Sequence, residues 1–133
     1  VISFVVPATP PSSLSQNSRL DWRPRQTIKH AWKEAAANAA IHATSGTGET
    51  LDPTKRYWVH VEVSWEKGHR IVDDDNLVAS FKHARDAIAE VFGIDDKMFR
   101  TGEVIQSRDK EGRGYTTVWI EERVGAWRFV PGG

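Results

Sequence analysis

Tyr57-Trp58-Val59-His60-Val61-Glu62-Val63-Ser64-Trp65 alternates without a break: Tyr57, Val59, Val61, Val63 and Trp65 fall on one side of an extended chain, and Trp58, His60, Glu62 and Ser64 on the other. Successive side chains of a strand point to opposite faces, so this period of two predicts a strand over 57–65. Upstream, Ile2 to Val6 is β-branched and aromatic and is stopped by Pro7, Pro10 and Pro11, which predicts a first strand. An Ala-dominated helical pattern runs from Gln26 to Ala43, with Ile28, Trp32, Ala35, Ala39 and His42 at three- and four-residue steps. Downstream, Leu77, Phe81, Ala84, Ile88 and Val91 recur at helical spacing and predict a second helix over 76–91, ended by Gly93. Strands near 103–108 and 115–121 flank Lys110-Glu111-Gly112-Arg113-Gly114, read as a hairpin loop. The order β-α-β-α-β-β predicts an α+β fold: one domain over 1–133, a small, mostly antiparallel sheet packed with two helices, and a loose tail at 126–133.

With 133 residues, 39% of them hydrophobic, the chain has material for one core and too little length for two. The absence of cysteine excludes disulfides, thiolate zinc sites and cysteine nucleophiles. The apolar run at the start is too short for a signal core or a membrane span, so a cytoplasmic setting without a membrane partner is expected. Net charge is zero, but unevenly spread. Up to Gly48, five basic residues (Arg19, Arg23, Arg25, Lys29, Lys33) face two acidic ones (Asp21, Glu34), and the remainder carries the compensating negative charge. If the five clustered aspartates described next hold divalent cations, the surface left over is net basic by five, so a neutral total can hide a nucleic-acid surface.

Asp73-Asp74-Asp75-Asn76 stands at the start of the second helix and Asp95-Asp96 just past its end. Asp73 and Asp75 point to one side of an extended segment, so both carboxylates can reach one hard cation. Helix capping also explains an acidic tripeptide. Three adjacent like charges exceed what a cap needs, however, and a metal is the usual relief. Rival motifs fail on spacing. A calcium loop beginning at Asp73 needs Gly and Glu where the chain has Val78 and Ala84. Gly46-x-Gly48 follows a helix and fails as a dinucleotide loop, and the five histidines lack paired ligand spacing. An aspartyl phosphatase would want a larger, parallel α/β core. Lys82 shares a helix face with Asp75 and Asp86, suited either to a scissile phosphate or to a plain Lys82–Asp86 pair.

At these residues the chain resembles the RusA family of Holliday junction resolvases, phage-borne members included. The likeness is carried by Asp73-Asp74-Asp75-Asn76-Leu77, Lys82, Asp86-Ala87-Ile88 and Gly93-Ile94-Asp95-Asp96, with a second one in Pro10-Pro11-Ser12 and Asn17 after the first strand. It implies a homodimeric, Mg²⁺-dependent endonuclease, with Mn²⁺ as a substitute, that resolves four-way DNA junctions by paired nicks during recombination and repair in a bacterial or phage-infected cell. By position it makes Asp73, Asp75 and Asp96 the metal-binding catalytic carboxylates, Asn76 a site-shaping residue and Lys82 the phosphate contact. Two departures stand out: Val72 replaces the basic residue that members carry before the first aspartate, leaving Arg70 nearby, and Lys82 sits about one helical turn farther along.

Arg19, Arg23, Arg25, Lys29 and Arg70 are the candidates for holding the DNA backbone, with Trp22 either a wedge at the branch or a buried aromatic. The alternative reading is a non-catalytic branched-DNA-binding module whose aspartates serve as caps. Geometry adds a constraint. A helix of about 16 residues is about 24 Å long, and four residues beyond it return at most about 14 Å. Either the helix is shorter than its periodicity suggests, or Asp96 of a partner subunit completes the site.

Overall fold

The computed structural model describes residues 2–14, 22–109 and 111–125, the side chains of Ser13 and Trp22 excepted. Asn17, Arg19, Lys110, the Trp22 ring and the tail 126–133 therefore lie outside the described residues. Along the chain run β1 (Ile2–Val6), α1 (Trp22–Ser45), β2 (Tyr57–Trp65), α2 (Asp74–Phe92), β3 (Phe99–Arg108) and β4 (Tyr115–Glu122). This is the expected α+β order, with both helices longer than their periodicity suggested and β3 starting earlier.

The sheet order is β1-β4-β2-β3; β4 is antiparallel to β1 and β2, and β3 is parallel to β2. The hairpin expected at 110–114 is therefore not formed, because β2 lies between the two strands that this loop joins. The reason lies in β2 itself. Eight of its nine residues are buried, so both faces are covered and both edges need partners to satisfy the backbone. β4 takes one edge and β3 the other. β3 reaches its place by a crossover through α2, and such a crossover delivers a parallel neighbour. The sheet thus contains one parallel pair that the sequence pattern did not disclose.

Both helices supply the core on one sheet face. Ile2, Phe4, Val6, Val59, Val61, Val63, Val118 and Ile120 meet Trp32, Ala36 and Ala40 of α1 and Leu77, Phe81, Ala84 and Ile88 of α2. The buried stripe of α1 is rotated from the expected one: Trp32, Ala36 and Ala40 are inside, whereas His42 is exposed. Trp32 sets that rotation, since its indole Nε1 donates to the Ser80 carbonyl of α2 at 3.1 Å and only one helix face can follow it inward. Gly93, at φ 66°, ends α2 in the left-handed conformation that glycine adopts without a Cβ penalty.

On the opposite sheet face His60 is 2% exposed and stacks on Trp119 at 5.2 Å. Its Nδ1 accepts the Glu103 backbone N–H at 2.8 Å, where the register of β2 against β3 slips between Val59 and Val61. The imidazole fills the irregularity so tightly that a Cβ on Gly102 would lie 2.6 Å from it. Gly102→Ala should therefore destabilise the fold by about 1–3 kcal/mol in urea unfolding, as overpacking does. His60→Ala should relieve part of that cost in the double variant.

Candidate functional site

α2 starts where the Asp73 carbonyl accepts the Leu77 N–H at 3.0 Å. Asp73 holds the N-cap position with extended backbone, yet its carboxylate makes no capping hydrogen bond. Asp74 and Asp75 occupy the first turn, where the helix dipole favours negative charge. Asp95 behaves in the opposite way. It caps the 3₁₀ turn Asp96–Met98 by accepting the Lys97 N–H at 3.0 Å. That bond, followed by a hydrogen bond with Asp96, holds the Asp95 carboxyl below its usual range. Capping thus accounts for Asp95 and leaves the Asp73 carboxylate uncommitted.

The segment ahead of Asp73 is tied down by side chains. His69 stacks on Trp65 at 4.1 Å with the rings 3° apart, and its Nδ1 lies 2.6 Å from the Arg70 carbonyl. Gln106, on β3, reaches across to the acidic segment. Its Oε1 accepts from the Trp65 indole at 2.9 Å and the Val72 N–H at 3.1 Å, and its Nε2 donates to the Val72 carbonyl at 2.7 Å and Asp74 Oδ1 at 2.8 Å. Sequence reasoning passed over this residue. Its signal was a glutamine two places after Val104, on the inward side of a strand. Asn76 is half-buried and, with Trp65, Leu77, Ser80, Pro10 and Ser12, lines a cavity of about 160 Å³ beside the aspartates.

Asp96 lies elsewhere. α2 has 19 residues, about 28 Å, so the shorter-helix alternative fails. The acidic triplet sits beside the end of β2, whereas Asp96 precedes Phe99, which pairs with Tyr57 at the start of β2. Around Asp96, a cavity of about 350 Å³ is lined by Lys33, Asp86, Glu90, Ile94 and Asp95. Arg85 is another residue the sequence left without a site role. It donates to Thr101 Oγ1 at 3.0 Å, and its pKa is lowered by burial, against the opposing pull of Asp86 and Asp96.

Among the described residues no three His, Asp or Glu side chains converge on one cation position. The extended backbone expected to turn Asp73 and Asp75 to one side is kept at Asp73 alone, since Asp75 lies in the first helical turn. Mg²⁺ is commonly held by one or two carboxylates, with waters and substrate phosphates completing its shell, so either or both of these aspartates could hold it without a third protein ligand. Lys82 Nζ lies 3.3 Å from Asp86 Oδ2. Lys82 is exposed and Asp86 half-buried, and an ion pair with one partner in solvent contributes little.

Arg23 and Arg25 open α1, and Lys29 and Lys33 continue along it. Lys29 and Lys33 bring positive charge to α2: the pKa of His83 is lowered by burial first and then by Lys29, with Lys82 and Lys33 adding and Asp86 opposing. Folded His83 therefore resists protonation, while the unfolded chain takes up the proton as pH falls through 6.5. The unfolded state then binds more protons, so stability falls with pH in this window. His83→Gln should flatten that fall, measured as the shift of the urea midpoint between about pH 7 and pH 5.

No protein family model matches the chain. An uncharacterized protein of Xylella fastidiosa (strain Temecula1 / ATCC 700964) is 32% identical over 98 residues, which make up 73% of this chain and 62% of that protein. The chain thus spans less than two thirds of that relative's length.

Proposed function

We propose that the chain is a Mg²⁺-dependent endonuclease that resolves four-way DNA junctions and works as a homodimer. The observation that carries this reading is the state of Asp73: it stands at a helix N-terminus beside Asp75, exposed, with a carboxylate that is not used as a cap. Asp73 and Asp75 would hold the cation, which when bound would supply an activated water and charge stabilisation at the phosphate. Lys82 or Arg70 would meet the scissile phosphate, and Arg23, Arg25 and Lys29 would position the backbone along α1. Arg19 belongs to the same proposed set, outside the described residues. Asp96 is about a helix length from Asp73 within one chain, so its catalytic role requires that a partner subunit bring its own Asp96 to the pair. A cytoplasmic setting in a bacterial or phage-infected cell fits this work, and no helix among the described residues is long and apolar enough to cross a membrane.

A labelled four-way junction should be nicked with Mg²⁺ or Mn²⁺ and left intact with chelator, while matched linear duplex resists. Asp73→Asn and Asp75→Asn should each lower the rate at least about a hundredfold, as expected when a cation ligand is lost. Mixing Asp75→Asn with Asp96→Asn subunits should restore nicking if the site is shared; no recovery would sink the sharing. The dispersal of the carboxylates within one chain favours a second reading, a non-catalytic junction-binding module. Junction binding without cleavage under any divalent cation would select it.

A further inference from the structure

We infer that Gln106 is the positioning residue of the acidic site and that Asp74 is its anchor, not a cation ligand; this rests on the cation-site reading of Asp73 and Asp75. A side-chain amide offers two N–H donors and two acceptor lone pairs. Gln106 spends all four, on the Trp65 indole, both backbone groups of Val72 and the Asp74 carboxylate. Its foundation is rigid: it lies on β3 opposite Val63, and Trp65 is 2% exposed.

The held groups bracket Asp73: the backbone of Val72 on one side and the side-chain carboxylate of Asp74 on the other are both tied to the sheet. Asp75 follows in the same helical turn. The amide is needed for chemical reasons. Glutamate has the same shape, but it would aim acceptors at the Val72 carbonyl and at the Asp74 carboxylate, turning two attractive contacts repulsive. Asp74 in turn has an oxygen engaged by the clamp. An asparagine there keeps an acceptor for Gln106 while removing the charge that a cation ligand would need.

The test is Mn²⁺ titration followed by electron paramagnetic resonance, without DNA, on the full chain and on Gln106→Glu, Gln106→Met, Asp74→Asn and Asp75→Asn. Amide hydrogen exchange at Val72 is measured in parallel. Expected are a loss of Mn²⁺ affinity of about tenfold or more in both Gln106 variants, as for residues that orient metal ligands. Val72 exchange should quicken in those variants while helical circular dichroism is kept. Asp74→Asn should bind within about threefold of the parent chain and Asp75→Asn should not bind measurably. Unchanged Mn²⁺ affinity in the Gln106 variants would overturn the positioning role, and loss in Asp74→Asn as severe as in Asp75→Asn would make Asp74 a ligand. If the parent chain shows a protected Val72 amide but binds no Mn²⁺, the cation reading falls, and this inference with it. Junction cleavage by a chain indifferent to Gln106 would remove this inference alone.

Discussion

Everything in this fold answers to the double burial of β2. A strand covered on both faces must find hydrogen-bond partners on both edges, and here both partners come from the chain that follows it, β3 running parallel and β4 antiparallel. The β3 edge requires a crossover, and α2 provides it. Nine residues of strand span about 30 Å and nineteen of helix about 28 Å, so helix and sheet match in length. Whatever precedes α2 is then delivered to one end of the sheet, and whatever follows it to the other. The separation of the two aspartate groups is a consequence of that match.

The same frame gives each acidic group a different environment. At the start of α2 the dipole is favourable, the cavity beside Asn76 is floored by Trp65 and Leu77, and an amide network holds the backbone. At the far end, Asp95 is occupied with its own turn and Asp96 lies in the field of the half-buried Arg85. Lys29 and Lys33 of α1 come close enough to α2 to add to the burial that suppresses the charge of His83. Lys29, Lys33 and Lys82 all act on the His83 imidazole, so the two helices bring these three cations into one neighbourhood.

Local periodicity disclosed most of the elements, because each depends on neighbours within a few residues. The spacing of Leu77, Phe81, Ala84 and Ile88 reappears as burial, whereas the alternation over 57–65 marks the strand but not its burial, since both of its faces are covered. Pairing was less legible. Nothing in residues 110–114 says that β2 will stand between the strands they join, since that follows from edge satisfaction across the whole sheet. Asp73 and Asp75 of the proposed site stand together in the sequence, while the contacts of Gln106 and Arg85 could not be read there, since they are made with residues distant in sequence. The rotation of α1 was likewise set by one indole finding a carbonyl on another helix.

The pairing of β1 with β4 carries a kinetic consequence. Ile2 lies opposite Ile120 and Val6 opposite Thr116, so this ladder joins residues more than a hundred positions apart. Closing so long a loop costs entropy that only the finished pairing returns. β4 is also the neighbour that covers one edge of β2. Until the chain has emerged past residue 122, that central strand keeps an open edge, and the apolar residues of β1 have no sheet to join. Such high contact order makes for slow, late closure and a partly folded chain with an adhesive strand, the state in which a protein of this shape is most vulnerable to aggregation.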